Sequence, residues 1–473
     1  MIENEKQYDI ENELKSLGCV IVRSGISWSK QRNKGTIDFV GYTIRKDGTL
    51  RAEVLVVVKQ RMLPIHTLIP PMAEAAEELG VKYVLFILEG QSHWFNAKTF
   101  IPLQEQPVFE NEAAYLQNED DLRQVLFEMF NQLRGYISFS QYLPFLCSVL
   151  LVRFFLHKRD RMIEWEDLSN DKFAQVVKEA EDAFDLNFGG SLSTLPSLTS
   201  ILKYLDGFPP SGIEISKAFL KLISQLSRER GGNDGQFITS PHIATFFRNV
   251  IEGLGQSDAK ALDMGSGFGF VIQAVHETCR YENILGLELS RSASSVCRLA
   301  YLLEGKSAEQ IKVLEADAIS WLPSTGHESN FDLVTIDPPL GYNYSAPLTE
   351  EYEVAKHGKA KASDLMIEKA LRLTKSGGYV LAIVPENTLF GSGSSKRLRD
   401  LILERAIVEA IIKMPDHILK PYTSARVSIL IIRLKKDVDE TAEHVFIASP
   451  EQVEYLEQTV TSFLKWRAEG GNL

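Results

Sequence analysis

The stretch "ALDMGSGFGF", Ala261–Phe270, is an apolar run that carries one acid, Asp263, and then three glycines at alternate positions, Gly265, Gly267 and Gly269. The helical pattern "FVIQAVHETCR" follows at once. Glycines where a strand turns into a helix permit a tight turn and let a ligand approach the backbone. Such a turn serves nicotinamide, flavin or methyl-donor ligands, or simply turns the chain. The residues around it must decide.

Outward from this turn the chain alternates. "NILGLEL", "IKVLEAD", "FDLVTID", "GYVLAIVP", "VEAIIKMP" and "VSILIIRLKK" read as strands. "SSVCRLAYLLEG", "SDLMIEKALRLT" and "SSKRLRDLILER" carry apolar residues at helical spacing. Repeated β-α-β units predict a mostly parallel sheet with helices on both faces. Glu288 ends the second strand, where an acid commonly holds ribose hydroxyls, and Asp317 ends the third. Each acid alone would serve as a helix cap. Together with Asp263 at one sheet edge they favour a nucleoside ligand. The fourth strand runs into Asp337-Pro338-Pro339-Leu340. Two prolines remove two donors and fix two φ angles, so pairing stops at a stiff corner that presents a carboxylate.

In this order, "LDMGSGFG", Glu288, Asp317 and "DPPLG" resemble the S-adenosylmethionine-dependent amino-methyltransferases. More narrowly, they resemble the adenine-N6 DNA methyltransferase (modification) subunit of type I restriction-modification systems. "GQFITSP", Gly235–Pro241, is similar to that family's donor-contacting "GQFYTP", and "GGYVLAIVPENTLFGSG" with "IVEAIIKMP" to its later strands. The resemblance covers residues 130 to 440. It implies a Rossmann-like α/β fold and S-adenosylmethionine held by Asp263, Gly265, Gly267, Glu288 and Asp317, with Phe237 and Thr239 covering it. It also implies a DNA adenine target. As partners it implies a separate specificity subunit, which would read the DNA, and a restriction/translocase subunit.

The amine of adenine is a poor nucleophile because its lone pair is delocalised into the ring. The Asp337 carboxylate and the Pro338 carbonyl would accept its two N–H bonds and concentrate electron density on nitrogen, with Pro339 keeping both acceptors fixed. No metal is required. The family places an aromatic residue after the prolines to stack on the extruded base; here it is Leu340, with Tyr342 and Tyr344 nearby as substitutes. The next stretch, "YNYSAPLTEEYEVAKHGKAKASD", mixes tyrosines with Lys356, His357, Lys359 and Lys361. It reads either as a partly basic lid or as a solvated loop. "SSKRLRD", 394–400, is a second basic island. His242, His276 and His417 have no partner at ligand spacing. Two further readings stay open: a scaffold or sensor that has lost catalysis, and a methyltransferase acting on RNA or a protein glutamine.

Residues 1–105 read as an α+β domain: a helix at Ile10–Leu17, two strands, a helix and two more strands. "TIDFVGYTIRKDGTLRAEVLVVVKQ" resembles the N-terminal, PD-(D/E)xK-like domain of type I restriction nuclease subunits. Asp38 and Lys59 match that site, but Val57 stands where its glutamate belongs. Glu53, six residues from Lys59, falls ~20 Å away along a strand. The domain reads as nuclease-like but inactive. Residues 106–233 read as helical, with "SLTSILKYLDGF" as one helix and "SRERGGNDGQ", Ser227–Gln236, as a linker or a mobile loop. The methyltransferase domain spans 234–440, and 441–473 forms a C-terminal helical tail.

Length and composition agree. A chain of 473 residues, 44% hydrophobic and 24% charged, is an ordinary globular protein of several domains. A net charge of -12 excludes a general polyanion binder, so nucleic acid must meet local basic patches or a basic partner. Four scattered cysteines fit a reducing, cytoplasmic location. The acidic N-terminus is no signal peptide. The most apolar run, Leu143–Leu156, contains Arg153 and falls short of the ~20 residues that span a bilayer.

Overall fold

A computed structural model describes residues 10–30, 33–61, 63–133, 137, 139–159, 170–189, 205, 207–230, 238–256, 259–305, 310–323, 331–348, 350–441 and 443–470. They divide into two compact units, one from the described residues of 1–137, 161–172 and 194–218, the other from those of 138–160, 173–193 and 219–473.

The first unit holds a five-stranded sheet in the order β1 (Ile21–Lys30), β2 (Asn33–Ile44), β3 (Leu50–Lys59), β4 (Tyr83–Leu88), β5 (Gln91–Asn96). Only β3 and β4 run parallel, joined by the helix Ile65–Leu79. Strand β1, which the sequence reading lacks, pairs antiparallel with β2 from Ile21↔Tyr42 to Lys30↔Asn33. Alternation along the sheet builds a core on each face. Ile37, Leu55, Val57 and Phe86 line one, and Phe39, Val54, Val56 and Leu85 the other. Asp38 accepts the Val58 amide at 2.7 Å, so it clamps β2 to β3 beside the buried Val57. Glu53 sits at a register shift between β2 and β3. It does not continue the Leu55–Val57 face. Its buried carboxylate accepts Thr43 Oγ1 at 2.8 Å and pairs with Arg51 and Lys82.

The second unit holds an eight-stranded sheet in which β6 (Ala259–Met264), β7 (Tyr281–Glu288), β8 (Ile311–Glu315), β9 (Phe331–Ile336) and β10 (Thr374–Pro385) run parallel. β12 (Val427–Leu434) lies antiparallel between β10 and β11 (Ala406–Lys413), and the short β13 (Phe446–Ala448) joins the edge. The order is β13-β11-β12-β10-β9-β6-β7-β8. Both faces are covered, so the central strands are mostly apolar and their alternation splits between two cores. Ala261, Leu333, Leu381 and Ile431 pack under the helices Pro241–Leu254, Phe270–Glu277 and Leu456–Ala468. Leu262, Val334, Ala382 and Ile432 pack under Ala362–Leu373 and Ser394–Arg405. The chain direction of strand order reverses at β6, between β7 and β9. At the carboxyl ends beside such a switch point, sheets of this kind bind ligands.

The helix Ile213–Arg230 takes in Ser227–Arg230, which the sequence reading placed outside the helices; Gly231–Gln236 lie outside the described residues, as does most of "SLTSILKYLDGF". The apolar run Leu143–Leu156 lies in the helix Phe139–Lys158, with Leu146, Cys147 and Leu151 fully buried. No helix among the described residues is long and apolar enough to cross a membrane.

Candidate active site at the sheet switch point

β6 and β9 run side by side with Asp263 opposite Thr335 and Met264 opposite Ile336. Their continuations, the glycine turn and the proline corner, meet backbone to backbone. The Asp337 amide donates to the Met264 carbonyl at 3.3 Å. Gly265 has φ +86°, and a Cβ there would stand 2.7 Å from the Asp337 carbonyl oxygen, so only glycine fits. Gly267, at φ +52°, has open space where its Cβ would be. Its amide donates to Glu288 Oε2 at 2.9 Å, and the Ser290 amide donates to Oε1 at 2.7 Å. Glu288 is thereby fixed across the turn from the end of β7.

Asp263 is buried. Its Oδ1 accepts Thr335 Oγ1 at 2.7 Å, while Oδ2 is buried with no hydrogen-bond partner among the described residues. Burial raises its carboxyl to about 7, opposed by Thr335 and reinforced by the charges of Asp337 and Glu288. Asp337 accepts Thr239 Oγ1 on Oδ2 at 2.5 Å. Burial lifts Asp337 to about 6; the Thr239 hydroxyl works against that shift and Glu288 adds to it. Asp317 accepts the Ile319 amide on Oδ1 at 2.9 Å and the Tyr344 hydroxyl on Oδ2 at 2.6 Å. Burial, then the Asp317 bond, pushes the Tyr344 phenol up to about 12.

The structure thus brings Thr239, Asp263, Gly265, Gly267, Glu288 and Asp337 to one edge, with Asp317 at the loop after β8. Phe237 lies outside the described residues. Pro338 is buried and Pro339 exposed, so half of the corner is packed rather than presented. Leu340 is half-buried and packs with Ile418 and Leu419 against the core under Pro241–Leu254. Tyr342 is exposed, whereas Tyr344 is tied to Asp317. Two partners escaped sequence reasoning. Thr335 is legible only from the β6–β9 register, and nothing local links Tyr344 to Asp317.

The tyrosine- and lysine-rich loop is pinned. The Tyr352 hydroxyl donates to the Ile319 carbonyl at 2.6 Å, and the Glu353 and Val354 amides donate to the Glu368 carboxylate at 2.9 and 3.0 Å. Lys361 donates to Asn387 Oδ1 and Ser395 Oγ, and Lys356 pairs with Glu353. The basic island is similarly engaged: Arg397 reaches the Val354 carbonyl, Arg399 those of Thr388 and Gly391, and Lys396 pairs with Asp400.

The donor set suits a cationic nucleoside such as S-adenosylmethionine. An orphaned buried carboxylate oxygen, an open glycine position and two further acids lie at this edge. Sheet order and the groups at this edge define the class: an S-adenosylmethionine-dependent methyltransferase fold. The methyltransferase subunit of a type I restriction-modification system from Streptococcus thermophilus superposes with a TM-score of 0.55 at 16% identity, covering 76% of this chain and 98% of that one. A structure describing assembly and conformational transition of the type I R-M system superposes at 0.60 with 14% identity, covering 76% and 85%. The methylase subunit of the type I restriction enzyme EcoEI of Escherichia coli is 23% identical over 278 residues, 54% of this chain; the chain spans 53% of that subunit's length. Residues 214–465 match the family described as N-6 DNA Methylase, and the chain belongs to that family.

Proposed function

We propose that this chain is the modification subunit of a restriction-modification or related defence assembly and methylates adenine N6 in DNA. The observation that carries it is the backbone contact between Gly265 and Asp337, which joins a donor-binding turn to an amine-accepting corner. Asp263, Glu288, Asp317 and the open backbone at Gly267 would hold S-adenosylmethionine, which supplies an electrophilic methyl carbon on a sulfonium. Thr239 holds one oxygen of Asp337, and Oδ1 has no partner among the described residues. That oxygen and the Pro338 carbonyl would accept the two N–H bonds of the amine. Both acceptors are set before substrate arrives, so little reorganisation is needed at the moment of transfer. A separate specificity subunit would read the DNA, and the assembly would work in the cytoplasm. In the first unit, Asp38 is engaged by Val58 and Val57 is buried, which supports a nuclease-like domain that does not cut.

Leu340 favours a second reading, a donor-binding scaffold, because it packs half-buried against the core where the resemblance implies a stacking aromatic. Calorimetry with S-adenosylmethionine and methyl incorporation into mixed-sequence DNA, RNA and protein acceptors separate these. Donor binding with N6-methyladenine in DNA supports the enzyme. Donor binding without transfer, with neighbouring subunits present, supports the scaffold, and transfer to RNA or protein alone overturns the DNA target.

A further inference from the structure

The proposed reaction brings a polyanion to a chain of net charge -12, so the cations that face it must be local. Most of the basic residues at 356–361 and 394–400 bond within the protein, Lys356, Lys361, Lys396, Arg397 and Arg399 among them, while His357 and Lys359 are exposed. A different cationic place adjoins the proline corner. A cavity of about 230 Å³ opens beside Thr239, whose hydroxyl bonds Asp337, and is lined by Arg228, His242, His417 and Lys420. Its acid, Asp416, lies 3.4 Å from Arg426 Nε, which offsets its charge. Arg228 is held rather than free to wave. Its Nε donates to the Ser224 carbonyl at 3.3 Å and its Nη2 to Ser224 Oγ at 3.2 Å, which leaves the Nη1 end for another acceptor.

Two backbone features add to this. The helix Pro241–Leu254 begins on the cavity wall, and its cap residue Ser240 makes no side-chain bond to the first turn. Pro241 has no N–H and the Ile243 and Ala244 amides donate to the Ser240 carbonyl, so the helix adds only the partial positive charge of its dipole. His417 has φ +71°, a left-handed conformation uncommon outside glycine. The loop β11–β12 accepts that strain at the cavity's rim.

We propose that this notch binds a phosphodiester of the nucleic-acid strand beside the target nucleotide, with Arg228 and Lys420 as its principal charges. The inference rests on the nucleic-acid target given under Proposed function. A phosphate here would anchor the backbone next to Asp337 and set the position from which a base is extruded, without reading sequence.

The test uses the full chain with its neighbouring subunits, a fluorescent adenine-containing duplex and the double variant Arg228→Gln/Lys420→Gln. Binding is measured from about 50 to about 200 mM salt. Each lost phosphate contact lowers the slope of log affinity against log salt by about 0.9, so two charges on one or two phosphates lower it by about 1 to 2. The same variant should keep donor affinity and the circular dichroism spectrum. An unchanged slope overturns the notch, as does a wild type that shows no measurable affinity for duplex with its neighbouring subunits present. Loss of transfer at saturating duplex with the slope intact also overturns it, by making the two residues structural. A wild type that binds duplex with the expected slope but never methylates it sinks the methyltransferase reading alone.

Discussion

Replacing Asp263 with asparagine should stabilise the protein, and more so at high pH. The carboxyl is buried, Oδ2 lacks a partner among the described residues, and burial with its acidic neighbours raises it from 3.8 to about 7. A carboxyl whose folded value is raised favours folding most where it is protonated in both states, below about 3.8, and that advantage is lost as pH rises to about 7. The difference is 7 minus 3.8, about 3 units, and at about 1.4 kcal/mol each the ceiling is roughly 4 kcal/mol. Between about pH 5 and about pH 8 roughly half or more of that ceiling develops, so the variant's advantage should grow by about 2 kcal/mol. Asparagine keeps an acceptor for Thr335 and does not titrate. Urea denaturation of both proteins, without donor, at the two pH values measures the gap. A gap that is the same at both would refute the claim that Asp263 stores ionisation strain. The variant should also lose donor affinity, because that strain is what a cationic ligand would relieve.

Other consequences are sharper for catalysis. Gly265→Ala puts a Cβ 2.7 Å from the Asp337 carbonyl at a φ of +86°; displacement of the corner by about an ångström should cut methyl transfer by about 100-fold in single-turnover kinetics, with the circular dichroism spectrum retained. Thr239→Val removes the hydroxyl that favours ionised Asp337, so the acidic limb of the pH–rate profile should move to higher pH, and Thr239→Ser should restore it. An unmoved limb with weakened donor binding would return Thr239 to a donor-covering role. Phe463→Ala empties a fully buried site against Phe446 and Trp466 and should cost about 3–5 kcal/mol in denaturant midpoints.

The parallel sheet was legible because strands buried on both faces read as apolar runs, Leu381 turning to one core and Ala382 to the other. β1 was not, since Ser24, Gly25, Ser27 and Ser29 dilute its pattern and its pairing with β2 is tertiary. β13, three residues long, exists only through β11. The edge acids could be read from their places at strand ends. What each acid bonds could not, because Tyr344 reaches Asp317 across 27 residues and Thr335 meets Asp263 across 72. The bulge at Glu53 defeated a strict two-residue alternation. Charge density left the basic segments open between a lid and a solvated loop, and only the fold shows that Lys361 and Arg397 point their cations at neighbouring oxygens.

Mass-spectrometric detection of N6-methyladenine in DNA incubated with S-adenosylmethionine, the wild-type chain or Asp337→Ala, and the neighbouring subunits is the most direct trial. The modified base should accumulate with wild type and be missing with the variant, while calorimetric donor affinity stays within a few-fold. A variant that methylates as fast as wild type would show that the corner beside Gly265 does not activate the amine.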